Sequence, residues 1–349
     1  MSLKVTTWNI EHSSELITAN PSANDLDRIR RIRETITEMD PDILLIVEGP
    51  KGEQAITDFC NTVLNNTWVP VLLKQPGDTL GDKDSDYGYD GRGTQWMWYV
   101  VKPGILNNCR IQQAQVWHSF IGSADWSVNY WGKIKPDDHD HYRQPQVLVY
   151  TLGNGEEIEL IGVHLKSKIN LKSITRDPEG NLDGNYLETA LKARVKLATE
   201  ARNIRDYVDA KFNQLPAPGI MVLGDCNDGP GHDFFEQQYL FFDLIQNLQG
   251  EVLLAERYFN HVLFDFPANL RWTAKFRDPI LNIPASQNPL LIDHILISQP
   301  LVNGSLSLKV NSGNGLVEHQ AFERGNAGAN NSTRSSDHRP VSCVLDDNP

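Results

Sequence analysis

Short runs of apolar residues, separated by turn residues, recur along the whole chain. Each run has the length of a strand, and such nearly continuous apolar runs are typical of strands buried on at least one face. The predicted strands are Lys4–Asn9, Asp42–Val47, Thr94–Val101, Gln146–Thr151, Glu157–Val163, Ile220–Leu223, Leu290–Ile297 and Val341–Leu345.

Two segments between these runs have apolar residues at helical spacing. In the first, Asn24 is a candidate N-cap, apolar residues recur at steps of three and four from Leu26 to Met39, and Pro41 ends the helix. The second runs from about Tyr186 to Phe212 with one apolar face. Strands interleaved with helices, with the later strands joined by loops, predict mixed sheets with helices outside them.

Three long segments have neither the apolar runs of strands nor the spacing of helices: Pro76–Gly93, Gly122–Gln144 and Gly313–Ser336. Loops of this length usually carry function or are disordered. The chain has no internal repeat at a period of 20–50 residues and no linker with a change of composition. We therefore expect one catalytic domain over residues 1–349.

Composition narrows the classes of protein further. The 349 residues carry a formal net charge of −13, which excludes a generally basic protein that coats DNA and argues against binding to an anionic membrane by bulk charge. The chain has no run of 18 apolar residues, so it is not expected to contain a membrane-spanning helix.

The four cysteines lack zinc spacing and are expected to be reduced thiols. No signal peptide is visible, so the sequence as written indicates the cytoplasm, or secretion if a signal was removed.

Polar residues follow several of the apolar runs directly, at the predicted ends of strands. Loops at strand ends expose side chains while the strand holds them rigidly, so we expect these residues to converge. Carboxylates, amides and imidazoles form an oxygen-rich set that favours Mg²⁺ or Mn²⁺ over zinc. Taken singly, Glu48 and the pair Asp225 and Asn227 also fit turn residues, and His164 also fits a core histidine. The residues in question are Asn9, Glu11, Glu48, His164, Asp225, Asn227, Asp293, Asp337 and His338.

Their order along the chain resembles the endonuclease/exonuclease/phosphatase superfamily, which includes pancreatic-type deoxyribonucleases, apurinic endonucleases, sphingomyelinases and inositol polyphosphate 5-phosphatases. The resemblance implies a four-layered α/β sandwich, in which two packed mixed β-sheets are flanked by helices. The six matching pieces span nearly the whole chain: Thr7–Ile10, Asp42–Glu48, Gly162–Leu165, Gly224–Asn227, Ile292–Ile295 and Ser336–Pro340.

The same resemblance implies a role for each metal-binding candidate. Glu48 would be the main metal ligand, with Asn9 and Asp337 beside it. Glu11 stands where apurinic endonucleases place a second acidic residue, so it is a further candidate ligand, directly or through water. Its alternative interpretation is an exposed turn residue.

The resemblance also assigns the reacting groups. Asp225 would orient or deprotonate the attacking water, and Asn227 would hold that water or a phosphate oxygen. His338 would stabilise the phosphorane or transfer a proton, with Asp293 fixing its tautomer. His164 would lie on the opposite side of the scissile phosphate.

One departure from the pancreatic-type pattern concerns His164. Its carboxylate partner there comes from the strand that corresponds to Thr94–Val101, and aligning back from Pro103 puts Gln95 at that position. We therefore expect Gln95 to contact His164 and, being neutral, to leave the pKa of His164 lower than a carboxylate would.

Substrate contacts are indicated by a local basic rim. Arg143 precedes Gln144-Pro145, where pancreatic-type members have an Arg-x-Pro element near the nucleic acid, and is expected to reach a phosphate. Lys166, Lys168 and Arg92 are further candidates for substrate binding, although such cations often form only a solvated face. The aromatic residues of the neighbouring loop could stack bases or simply fold that loop back on itself: Trp126, Tyr130, Trp131 and Tyr142.

The resulting prediction is a Mg²⁺- or Mn²⁺-dependent phosphodiester hydrolase, a nuclease acting on nucleic acid by in-line attack of an activated water. No protein partner is indicated, and we expect a monomer. The alternative is a phosphatase or phosphodiesterase for a lipid head group or a small molecule, although Ile292-Asp293-His294 differs from the Cys-Asp-Arg of most inositol 5-phosphatases. A third hypothesis, an inactive binding module, is disfavoured because every acidic and histidine position is intact. The choices between DNA and RNA and between endo- and exonuclease stay open.

Overall fold

The fold is described from a computed structural model. It describes residues 2–73, 84–89, 93–121, 126–130, 133–137, 141–169, 172–214, 217–231, 233–240 and 243–348, with only the backbone of 126–130 and 133–137. The strands in chain order are β1 (Ser2–Asn9), β2 (Ile43–Gly49), β3 (Val69–Pro70), β4 (Trp96–Val101), β5 (Cys109–Ile111), β6 (Trp126–Tyr130), β7 (Lys133–Asp137), β8 (Gln146–Thr151), β9 (Glu157–His164), β10 (Gly219–Asp225), β11 (Asn260–His261), β12 (Ala274–Lys275), β13 (Pro289–Leu290), β14 (Asp293–Ile297), β15 (Leu308–Val317) and β16 (Val341–Asp347). The α-helices are α1 (Ala23–Met39), α2 (Glu53–Thr62), α3 (Gly184–Phe212), α4 (Leu244–Gln249) and α5 (His319–Gly325).

Two six-stranded mixed sheets form the centre of the molecule. The first has the strand order β15-β16-β1-β2-β4-β3, and only its β1–β2 pair is parallel. The second has the order β11-β14-β10-β9-β8-β5, and only its β9–β10 pair is parallel. Strands β6 and β7 form a separate hairpin, and β12 pairs with β13.

Alternate residues of the strands divide the apolar side chains between two faces of each sheet. Val5 and Leu45 of the first sheet pack against Leu160 and Leu223 of the second in one core cluster. The outer face of the first sheet is covered by α1, α2 and α5, and that of the second by α3 and α4. This arrangement confirms the predicted four-layered α/β sandwich.

Some local predictions were wrong. Helix α1 is capped by Ser22 rather than Asn24: the Ser22 hydroxyl accepts from the Asp25 backbone and the Asp25 carboxylate accepts from the Ser22 backbone. Half of the segment predicted as the loop Gly313–Ser336 is regular, because β15 extends into it to pair with β16 and α5 follows. Its Gly, Asn and Ser residues hide this strand, which tertiary pairing stabilises.

The four cysteines are free thiols: Cys60, Cys226 and Cys343 are buried and Cys109 is partly exposed. Among the described helices, none combines the length and the apolar composition required to cross a membrane.

Candidate active site

The topology brings the polar strand ends to one edge of both sheets. In the first sheet, β1 ends at Asn9 and its parallel neighbour β2 has Glu48 as its next-to-last residue. In the second sheet, β9 ends at His164 and its parallel neighbour β10 ends at Asp225. Parallel strands place their carboxyl ends together, so each sheet contributes two polar residues to this edge.

Two antiparallel strands supply the remaining groups from their beginnings. Asp293 is the first residue of β14 and is directly opposite Asp225 in register. His338 precedes β16, whose Val341 pairs with Thr7 near the end of β1. The two sheets therefore bring carboxylates and imidazoles to the same edge from both directions.

Glu48 lies at an irregularity in the ladder between β2 and β4 and has a left-handed backbone with φ of 60°. Its carboxylate accepts hydrogen bonds from Gln95 Nε2 at 2.6 Å, from the His12 backbone N–H at 3.0 Å and from Asn9 Nδ2 at 3.4 Å. The His12 ring lies 3.6 Å away. A left-handed conformation at a non-glycine residue is costly and concentrates at functional sites.

Asn9 links the two sheets. Its Nδ2 donates to Asp225 Oδ2 at 2.9 Å, in addition to the longer contact with Glu48, and its Oδ1 accepts from the Glu11 backbone N–H at 3.0 Å. One amide therefore holds two carboxylates from different sheets close together, at a residue that is 2% exposed.

Asp225 is buried, and this burial is the main reason that its pKa is raised to about 7, although the charge of His338 opposes the shift. Its Oδ1 accepts from the Asn227 backbone N–H at 2.8 Å. The preceding Gly224 has φ of 139°, and a Cβ there would lie 2.0 Å from the Val163 carbonyl oxygen. Only glycine fits that position, so the approach of β10 to Asp225 depends on it.

His338 and Asp293 form a buried pair across the sheets. His338 Nδ1 and Asp293 Oδ2 are 2.8 Å apart. Burial disfavours the imidazolium, but the charges of Asp293 and Asp225 outweigh it and raise the pKa of His338 to about 10. The ring of Phe276 packs edge-on against that of His338, with centroids 5.8 Å apart.

Within the described part of the chain, no hydrogen bond joins His164 to Gln95, contrary to the sequence-based expectation. Its Nε2 lies 3.7 Å from Asp225 Oδ2, and its buried Nδ1 has no hydrogen-bond partner among the described residues. Burial, together with the charges of Arg143 and His338, holds the pKa of His164 well below its usual value. A lowered pKa of His164 was expected, but its main cause is burial rather than the neutral Gln95. Gln95 instead bridges Glu48 and Arg143, whose Nη1 donates to Gln95 Oε1 at 3.2 Å.

Arg143 lies beside the site and is fixed by the backbone. Its guanidinium donates to the His164 carbonyl at 3.2 Å and to the Leu165 carbonyl at 3.4 Å. Asn227, with φ of 54°, donates from its side chain to the same Leu165 carbonyl at 2.9 Å. Lys166 is partly buried, and its ammonium donates to the Ser167 carbonyl.

Lys168 is placed differently from the prediction. Its ammonium is enclosed by the carboxylates of Asp228, Asp233 and Glu236, so it is not free to bind a phosphate. The spacing after His164 suggested a basic rim, whereas the Lys168 side chain is mostly buried among these carboxylates. The remaining predicted cation, Arg92, lies outside the described residues.

Glu11 and Asp337 meet at a cation that the sequence analysis missed. Arg334 Nη2 lies 3.4 Å from Glu11 Oε2 and 3.6 Å from Asp337 Oδ2. Its position three residues before Asp337 is the only sequence signal, and it becomes informative only once Glu11 and Asp337 are known to be close.

The predicted metal ligands carry the donor atoms that a hard divalent cation prefers. Asn9, Glu11, Glu48 and Asp337 offer amide and carboxylate oxygens without sulfur, as Mg²⁺ and Mn²⁺ prefer. The three hydrogen bonds to the Glu48 carboxylate come from uncharged amide groups, so its negative charge remains available.

Among the described residues, the ligand atoms of Asp225, Asp293 and His338 lie within 4.8 Å of one another. Two of these three groups, His338 and Asp293, are already hydrogen-bonded to each other.

The model of the endonuclease/exonuclease/phosphatase family matches residues 6–338. The chain belongs to this family. Members of the family are hydrolytic phosphoesterases, and its enzymes depend on a divalent metal.

Two solved structures of TDP2 show the shared fold. Truncated TDP2 from Caenorhabditis elegans is 13% identical with a TM-score of 0.52, and the alignment covers 99% of this chain and 97% of that one. Selenomethionine TDP2 from the same organism is 13% identical with a TM-score of 0.51, covering 99% and 74%. The catalytic domain of human Nocturnin with bound sulfate is 14% identical with a TM-score of 0.49, covering 99% and 94%. A search of curated protein sequences finds no match.

Proposed function

We propose that this protein is a Mg²⁺- or Mn²⁺-dependent phosphodiester hydrolase that acts on nucleic acid. The observation that carries the proposal is the Asn9 amide, whose Nδ2 lies 2.9 Å from Asp225 and 3.4 Å from Glu48. A carboxylate suited to a metal and a carboxylate suited to a water molecule are thereby adjacent. We further propose that residues 1–349 form one catalytic domain.

Glu48, Asn9 and Asp337 would hold the metal, with Glu11 as a further ligand once it leaves Arg334. When bound, a divalent cation neutralises negative charge that develops on the phosphate. Gln95 and the His12 backbone hold the Glu48 carboxylate in one orientation.

Asp225 is suited to accept a proton from water, because burial brings its pKa to about 7 and a general base works best near the operating pH. The water oxygen forms a bond to phosphorus as the bond to the leaving oxygen breaks, and its proton passes to Asp225. Asn227, next but one along the chain, would hold the water or a phosphate oxygen.

His338 would donate a hydrogen bond to the phosphate as charge builds on it. Its high pKa keeps it cationic at neutral pH, and Asp293 holds Nδ1 so that Nε2 points away from the pair. His164 is neutral because its pKa is low, so it is suited to hydrogen-bond a phosphate oxygen and poorly suited to protonate the leaving group.

Support for a nucleic acid substrate comes from cations near the site. Arg143 is held beside His164 by two backbone carbonyls. Phe276 contacts His338, and its neighbours Lys275 and Arg277 are exposed. An aromatic ring between exposed cations suits a strand with successive bases and phosphates.

The test is hydrolysis by the purified protein with Mg²⁺ or Mn²⁺ of plasmid DNA, RNA, bis-p-nitrophenyl phosphate and sphingomyelin. The proposal expects cleavage of a nucleic acid and of bis-p-nitrophenyl phosphate. Turnover of sphingomyelin alone would instead favour the lipid phosphodiesterase alternative, and binding of nucleic acid without any turnover would favour an inactive module.

A further inference from the structure

A chain of directed hydrogen bonds ends on the loop that carries Asn227. The Leu263 backbone N–H donates to His261 Nδ1 at 3.0 Å, His261 Nε2 lies 2.9 Å from His294 Nδ1, and His294 Nε2 lies 2.8 Å from the Asp228 carbonyl oxygen. A backbone N–H can only donate and a carbonyl can only accept. Both histidines are therefore neutral with the proton on Nε2, and each hydrogen bond runs toward Asp228.

The side chain of Asp228 is also held by hydrogen bonds. Lys168 donates to its Oδ1, which also accepts from the Gly229 backbone N–H at 2.9 Å. Asp228 is 3% exposed and His294 is 1% exposed, so neither contact is shared with bulk solvent. Asp228 is thus fixed at both its carbonyl and its carboxylate.

The residue before Asp228 is Asn227, which needs such support. Its backbone has φ of 54°, a conformation that costs energy even for asparagine and persists only when its surroundings impose it. Its own contacts are the Asp225 carboxylate and the Leu165 carbonyl. A shift of Asp228 would move Asn227 against both.

We propose that Asp228, anchored by His294 and Lys168, positions Asn227 for phosphoester hydrolysis, and that His261 and His294 are positioning residues which act through Asp228. This rests on the proposed function for the role of Asn227, but the hydrogen-bond chain itself does not. The position assigned to Lys168 also replaces its predicted contact with substrate.

The kinetic test replaces His294 in two ways. His294→Leu removes the donor to Asp228, and kcat should fall by about tenfold to a hundredfold, because a misplacement near 1 Å costs about that much. KM and the metal concentration for half-maximal activity should stay within about twofold. His294→Gln keeps an amide donor near the position of Nε2 and should retain most of kcat. Asp228→Asn, which weakens the contact with Lys168 at constant shape, should also lower kcat.

His319→Leu is a matched control, because His319 Nε2 also bonds a backbone carbonyl, that of Leu270 at 2.7 Å, outside this loop. Its kcat should equal that of the wild type. Folding of each variant is checked by its thermal unfolding curve. Folded His294→Leu protein with the wild-type kcat would overturn the proposal.

A spectroscopic arm does not depend on activity. Long-range ¹H–¹⁵N spectra should show both His261 and His294 protonated on Nε2, and His294→Leu should shift the Asn227 side-chain amide resonance while His319→Leu should not. Protonation of His294 on Nδ1, or an unshifted Asn227 resonance, would contradict the positioning role. If the wild type hydrolyses no phosphodiester, the proposed function fails and these resonances alone decide the structural claim.

Discussion

Asp293 Oδ2 and His338 Nδ1 lie 2.8 Å apart, although the carboxylate begins a strand of one sheet and the imidazole precedes a strand of the other. The contact fixes the edge where the sheets meet. It also gives the buried imidazole the negative neighbour that keeps it charged.

Asp293→Asn should lower kcat by about a hundredfold to ten-thousandfold and shift the pH dependence. In the wild type His338 stays cationic until pH approaches about 10, and removing the carboxylate lowers that pKa. The alkaline limb of kcat against pH should therefore move to lower pH. The control is Glu159→Gln, which alters another buried carboxylate of the second sheet, one that forms an ion pair with Lys211 of α3. This variant should leave the pH profile unchanged. An unshifted alkaline limb in Asp293→Asn would show that His338 does not set it.

Gln95→Leu should weaken metal binding, since it removes the 2.6 Å hydrogen bond that orients Glu48. We expect the Mg²⁺ concentration for half-maximal binding, measured by calorimetry, to rise about tenfold, as for other residues that orient metal ligands. Gln299→Leu, which loses a comparable contact with the Tyr258 carbonyl, is the control. Unchanged Mg²⁺ affinity would rule out this role for Gln95.

Replacing both Lys275 and Arg277 by alanine should raise KM for oligonucleotides about threefold to tenfold and leave KM for bis-p-nitrophenyl phosphate unchanged. Each lost phosphate contact should also reduce the salt dependence of binding by about one unit of slope. Arg202→Ala removes an exposed cation of α3, on the outer face of the second sheet, and should have no effect. An equal rise in KM for both substrates would place these cations at the reacting phosphate rather than along a strand.

His261 should make part of the free energy of unfolding depend on pH. Burial keeps its pKa well below 6.5 when folded, so below about pH 6.5 the unfolded chain binds a proton that the folded protein does not. Its contribution therefore lowers the free energy of unfolding by at most about 1.4 kcal/mol per pH unit as the pH falls. The raised pKa values of Asp225 and Glu236 act in the opposite sense over this range.

Comparison of the wild type with His261→Asn isolates that contribution. Urea unfolding at several pH values between 5 and 7 should give a smaller loss of stability with falling pH in the variant. His118→Asn, at an exposed position, should reproduce the wild-type dependence. Parallel pH curves for wild type and His261→Asn would exclude a neutral His261 in the folded protein.

The sequence predicted the sandwich and the convergence of Glu48, His164 and Asp225, because an apolar run followed by one polar residue locates a strand end. It could not predict the contacts of Gln95 and Lys168, which depend on how two sheets and their loops approach each other. Alignment placed Gln95 against His164, whereas in the fold its amide turns to Glu48.

Strand β15 shows a different limit. Its residues Asn311–Asn314 have poor strand propensity, and the ladder with β16 is irregular between Val310 and Gly315. Side-chain amides compensate locally: Asn314 donates to the Val344 carbonyl and to Asp346. Such compensation comes from residues distant in sequence, so composition alone indicates a loop.

Metal dependence is measured by hydrolysis of bis-p-nitrophenyl phosphate against Mg²⁺ concentration, for wild type and Glu48→Gln after removal of metal with EDTA. We predict no turnover in EDTA, recovery of the wild type with Mg²⁺ or Mn²⁺, and a large rise in the metal concentration that Glu48→Gln requires, because a charged ligand is lost. Full turnover of the wild type in excess EDTA, or equal metal dependence of the two proteins, would contradict this prediction.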